Sequence, residues 1–153
     1  MDEHTALVDQ AQEVRHALSG GDRAAAMSRL SLLVTHLDRH VRREEDGIFR
    51  AMRDSGEFVG EVDDLETEHR EFAATIAGLD VVAPDFVSTV TRLLDDLDQH
   101  VEREDLGIFP VSVVTLGASG WATVDEAHTR SPSFLHDPVA APGEPRAATP
   151  SPA

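Results

Sequence analysis

The sequence predicts an all-α protein, an up-down-up-down four-helix bundle, and three observations carry that reading. Apolar residues recur at spacings of three and four through the first 110 residues. Each apolar stripe is only one helix face wide, so the helices need one another to bury it. The connections between stripes are short, which favours antiparallel neighbours.

The first helix carries Leu7, Ala11, Val14 and Leu18 and stops at Gly20-Gly21. Asp22 caps the second, which runs through Met27, Leu30, Leu33, Leu37, Val41, Ile48 and Met52 as far as Asp54-Ser55-Gly56. The third presents Phe58, Val62, Leu65, Phe72, Ile76 and Leu79. The fourth starts near Pro84, a residue suited to a first helical turn, and carries Phe86, Val90, Leu93, Leu97, Val101 and Ile108. Pro110 is expected to kink or end it. A short fifth helix over Trp121 to His128, with Ser119 as its cap, is a further expectation. From Ser131 onward six of the eight prolines lie among Ala, Ser and Gly. Such a composition does not offset its ordering entropy by burial, so residues 131–153 are expected to form a disordered tail behind a bundle of residues 1–130.

Composition narrows the function classes. The chain has 153 residues, the size of one ordinary domain, with 41% apolar and 27% charged residues. Acidic residues outnumber basic ones 29 to 13, for a formal charge of −16. That field repels phosphate backbones and anionic membranes, which argues against nucleic-acid and lipid-surface partners. Cysteine is absent, so disulfides, thiolate chemistry and sulfur-ligated metals are excluded; tyrosine is absent as well, which removes the phenolate. The first residues, Met1-Asp2-Glu3-His4, lack the basic and apolar segments of a signal peptide, and a cytosolic (cytoplasmic) location is expected.

The most informative feature is an internal duplication. Residues 36–49 (HLDRHVRREEDGIF) and 96–109 (DLDQHVEREDLGIF) are offset by sixty and identical at nine of fourteen positions. A weaker echo links Glu3-His4 with Glu68-His69. The unit is a helical hairpin with one histidine on its first helix and His-x-x-x-Glu on its second. A repeated core accounts for matching apolar residues, but not for His and Glu at core positions.

His4 lies three residues before Leu7, on the buried stripe, and His69 sits between Leu65 and Phe72. His40 and Glu44 fall one turn apart between Leu37 and Ile48, and His100 and Glu104 likewise between Leu97 and Ile108. A spacing of four places both side chains on one helix face, close enough to converge on one ion. The ordinary role of a lone histidine on an apolar face is structural. Four histidines and two glutamates in matched pairs on inner faces are another matter, because a buried unpaired carboxylate costs several kcal/mol. A metal neutralises the carboxylates and takes the imidazole lone pairs. Two candidates stay open: Glu45 or Asp105 could replace its neighbour as the metal carboxylate. His36, one turn before His40, has Asp96 as its repeat partner, so a place on the helix flank is favoured for it. His16, His128 and His136 fall off the inner stripes and are expected to be solvated.

These motifs together, Glu3-His4, His40-x-x-x-Glu44 with Gly47-Ile48-Phe49, Glu68-His69, and His100-x-x-x-Glu104 with Gly107-Ile108-Phe109-Pro110, resemble the hemerythrin-like, or HHE cation-binding, domain over residues 2 to 110. The resemblance implies two non-haem iron ions joined by carboxylates and an oxo or hydroxo group. It assigns His4, His40, His69 and His100 as terminal ligands and Glu44 and Glu104 as bridges. In one respect the chain departs from the oxygen carriers of the family. They have a second histidine four residues after the one on the third helix, where this chain has Ala73, and their aspartate five residues after the last histidine is matched by Asp105.

The functional expectation is a di-iron protein that binds or reacts with dioxygen, peroxide or nitric oxide and possesses a decomposing activity toward hydrogen peroxide. Each iron then has two histidines and two shared carboxylates, with a position left open on both. A sensor or iron-binding module without turnover is the rival from another class, and a metal-free structural bundle is the third.

Overall fold

The computed structural model describes residues 2–138, and among these there is no strand. The helices are α1 (Glu3–Ser19), α2 (Arg23–Glu44), α3 (Arg50–Ser55), α4 (Val59–Ala77), α5 (Phe86–Arg103), α6 (Phe109–Thr115) and α7 (Ala118–Arg130). A π-helical turn over Glu45–Phe49 joins α2 to α3 and another over Glu104–Ile108 joins α5 to α6, so each pair forms one long helical path with a local widening. No described helix is long and apolar enough to cross a membrane.

Local chemistry sets the boundaries. Asp2 and Asp22 cap α1 and α2, their carboxylates accepting from the amides of Thr5 and Ala25 at 2.8 and 2.9 Å. Gly56 ends α3 in the left-handed conformation, at φ 76°, where a side chain would be strained. The four long helices alternate in direction. Glu3 near the start of α1 meets His40 near the end of α2, and Arg15 in α1 meets Asp95 and Asp98 in α5 while His4 meets Asp105 just beyond it.

The apolar stripes pack into two clusters. One contains Leu7, Leu30, Leu37, Phe72, Val90 and Leu97. The other contains Phe49, Met52, Val62, Leu65, Ile108 and Val124. His69 falls between Leu65 of the second cluster and Phe72 of the first, His40 and Glu44 between Leu37 and Phe49, and His100 and Glu104 between Leu97 and Ile108, so apolar packing on both sides fixes the backbone that carries them.

Three expectations are corrected. Pro110 does not end the fourth helical path: it stands in the first turn of α6, after the π-helical segment, and α6 runs on to Thr115. The fifth helix runs from Ala118 to Arg130, longer than expected; Gly117, not Ser119, precedes it, and no side chain caps it. Residues 131–138 do not form the expected disordered tail. Phe134 is buried in the first apolar cluster and stacks on His36 with ring centroids 4.4 Å apart. Arg39 ion-pairs with Asp137, and Arg43 donates to the Ser131 carbonyl at 2.7 Å. One aromatic anchor and two arginines thus fasten a segment whose composition points to disorder. The rest of the expected tail, residues 139–153, lies outside the described residues.

Candidate metal centre

All six residues singled out from the sequence converge. His4, His40, Glu44 and Glu104 form one group of donors and Glu44, His69, His100 and Glu104 a second, each with ligand atoms within 4.8 Å of one another. Both glutamates belong to both groups. All six side chains are buried, and Glu104 is 0% exposed.

The hydrogen bonds around the histidines repeat with the sequence. Nδ1 of His4 donates to Asp105 at 2.8 Å and Nδ1 of His69 to Glu45 at 3.0 Å. Nδ1 of His40 donates to Glu3 at 2.8 Å and Nδ1 of His100 to Glu68 at 2.6 Å. An ionised carboxylate only accepts, so every ring carries its proton on Nδ1 and turns Nε2 inward. Glu45 and Asp105 meet histidine Nδ1 atoms, while Glu44 and Glu104 face the centre. Arg43 lies 3.4 Å from Glu3, and its repeat counterpart Arg103 pairs with Glu68, so the outer carboxylates are themselves held. These supporting roles of Glu3 and Glu68 were not read from the sequence, although the repeated Glu-His dipeptide was their signal.

The inward faces show what the arrangement fits. Nε2 of His4 and Nε2 of His40 are 2.9 Å apart, as are those of His69 and His100. Two nitrogen donors at right angles on one ion, with bonds of about 2.1 Å, lie about 3.0 Å apart. The four carboxylate oxygens of Glu44 and Glu104 are buried, and none has a well-formed hydrogen bond, although histidine Nε2 atoms stand 2.9 to 3.4 Å from three of them. Inward lone pairs and carboxylate charge at this spacing fit a cation.

Burial alone would push His4 down, but Glu104 and Glu44 override it and raise its pKa to about 11. Burial opposes the charge on His40 as well, and Glu44 and Glu3 raise it to about 9. His100 is raised for the same reasons, chiefly through Glu104. Burial pushes Glu44 up, yet the charge of His40 and the nearness of the His4 and His40 Nε2 atoms hold it far below the usual carboxylate range. Glu3 is likewise pushed up by burial and held down at about 2 by His40, Ser133 and Arg43.

The remaining histidines do not join. His36 donates to or accepts from Gln10 at 3.0 Å and stacks on Phe134, so it stands on the helix flank. His16, His128 and His136 are exposed. Ala73 is also exposed, beside the buried stripe of Val62, Leu65, His69 and Phe72 rather than on it.

The two halves differ in their surroundings. Phe109 stacks on His4 at 5.3 Å and Phe49 on His69 at 5.7 Å, as repeat partners should. Phe49 is fully buried, whereas Phe109 is half-buried and forms a wall of a cavity of about 410 Å³ that reaches His4, His40 and Glu44. The cavity reaches the His4/His40 half and contains neither His69 nor His100.

Fold and site define a helical-bundle protein whose buried His/Glu cluster fits a metal site. The chain belongs to the family of the hemerythrin HHE cation binding domain, whose model matches residues 1–112. No curated protein and no solved structure matches the chain significantly.

Proposed function

We propose that this chain is a non-haem di-iron protein that binds and reacts with small oxygen species: dioxygen, peroxide or nitric oxide. The observation that carries the reading is the pair of 2.9 Å Nε2 separations flanking two carboxylates without hydrogen-bond partners. His4 and His40 would hold one ion, His69 and His100 the other, and Glu44 and Glu104 would serve both. Sulfur-free ligation by histidine and carboxylate from facing helices suits iron or manganese, as in other bundles that hold paired metals. Bound iron would supply positions open to an exogenous ligand and one-electron redox chemistry.

The residues of the chain do the rest. Asp105, Glu3, Glu45 and Glu68 hold the imidazole tautomer and make Nε2 more basic. Phe49 closes the second half against solvent, and the cavity beside Phe109 admits small molecules to the first. The two halves offer like donor sets, two histidines each with the shared glutamates, which suits reaction with peroxide better than reversible carriage of dioxygen.

Stopped-flow spectra of the reduced, iron-loaded protein mixed with oxygen test this reading. Oxidation without a long-lived oxygenated form is expected, together with decomposition of added hydrogen peroxide. A stable absorption band that disappears on deoxygenation would show a carrier or sensor and contradict it.

A further inference from the structure

The cavity beside His4 and His40 is far larger than the species proposed above need. It measures about 410 Å³, whereas a water-sized molecule has about 30 Å³ of liquid volume. Its walls include Ile48, Phe109, Trp121, Val124 and Leu135, which suits an organic body. Trp121 and Val124 belong to α7, and Leu135 to the 3₁₀ turn Phe134–His136. Those elements lie beyond residue 112, where the family match ends, and they have no counterpart in the duplication.

The polar lining narrows the ligand further. Arg43 is occupied by Glu3 and the Ser131 carbonyl, so it offers no free cation to an organic anion. Asp2 and Asp105 stand at the same cavity, and the chain carries a formal charge of −16, both of which repel anions. Glu3 and Ser133 are bonded to each other at 2.5 Å. His128 lines the cavity with no hydrogen-bond partner among the described residues, so its ring is available to donate or accept.

We propose that this cavity binds a neutral, mainly apolar organic molecule carrying one hydroxyl or hydroperoxyl group, its body between Phe109, Trp121 and Val124. The placement of that group toward His4 and His40 rests on the metal-centre reading; the binding of the body does not.

Trp121 is the only tryptophan of the chain, so its fluorescence reports on the cavity. The experiment titrates the metal-free full-length chain with 2-phenyl-2-propanol, and in parallel with benzoate as an anion of similar size. A saturable change with the alcohol and none with benzoate is expected. Val124→Phe, which fills the cavity, should weaken binding of the alcohol by at least about tenfold, or about 1.4 kcal/mol. Leu135→Phe fills it from the partly exposed rim and serves if Val124→Phe lowers the helicity. No saturable change with the alcohol, an equal response to benzoate, or unaltered binding in the filled variants would overturn the proposal. Metal content is measured on the same preparations. Alcohol binding by a protein that takes up no metal would sink the metal reading alone, and full metal uptake without alcohol binding would sink this one alone.

Discussion

Glu3 accepts a 2.8 Å hydrogen bond from Nδ1 of His40, and the same carboxylate accepts from the Ser133 hydroxyl at 2.5 Å. The segment that follows the last long helix is thereby tied to an inward-facing histidine through one side chain. Glu68 performs the same service for His100, with Arg103 in place of the serine.

Glu3→Gln should therefore weaken metal binding without removing a ligand. An outer partner of a metal-bound histidine contributes about 10- to 100-fold in affinity. Competition with a chelator of known affinity measures the loss, and the same change at the exposed Glu13 should have no effect.

The pH dependence differs between metal-free and metal-loaded protein. The folded pKa values of His4 and His40, about 11 and about 9, lie above the ordinary 6.5. Their contribution to stability is fully present below pH 6.5 and is lost as pH rises through about 9 and about 11. Glu3, lowered from 4.5 to about 2, contributes above pH 4.5 and loses that contribution as pH falls through about 2. Metal-free protein should be most stable between those limits, pH 4.5 to 6.5, in denaturant titrations. Metal uptake displaces the histidine protons, so loading at neutral pH should release protons into weakly buffered solution and should weaken as pH falls.

Gly47 and Gly107 occupy the same place in the repeat and should respond differently to substitution. A Cβ at Gly47 would stand 3.2 Å from Cβ of Ala127, because α7 packs against that turn; at Gly107 nothing lies within 4 Å. Gly107→Ala should be neutral or stabilising by up to about 1 kcal/mol, from the lower backbone entropy of alanine in a helix. Gly47→Leu should cost about 1–3 kcal/mol by forcing α7 away. Thermal unfolding of the two variants, with Trp121 fluorescence as a reporter on α7, checks the contrast.

Phe134→Ala should destabilise the protein by about 3–5 kcal/mol, the range for truncating a buried aromatic side chain. Urea unfolding measures it. A loss under 1 kcal/mol would show that residues 131–138 do not hold to the bundle as described.

Much of this architecture was legible in the sequence, for definite reasons. His4, His40, Glu44, His69, His100 and Glu104 stood out because polar residues interrupt apolar stripes of helical period, and the duplication marked them twice. Glu45 and Asp105 stayed ambiguous, since adjacent residues on a helix differ by about a quarter-turn and the π-helical turns that widen the backbone there shift the register. Phe134 was hidden by the prolines and serines around it: composition reports an average, whereas docking depends on one aromatic side chain reaching His36. The unequal surroundings of Phe49 and Phe109 were illegible in principle from the repeat, where both close the same Gly-Ile-Phe run. The difference comes from α7 and the turn behind it, which have no copy on the other half.

The central claim is that six inward-facing residues hold two metal ions, and elemental analysis of the purified chain after anaerobic reconstitution with ferrous iron tests it most directly. Two iron ions per chain are expected for the natural sequence and for His16→Ala, with marked loss in His40→Ala and in His100→Ala. One ion or none in the natural sequence, or iron stripped by His16→Ala and retained by His40→Ala, would contradict the account.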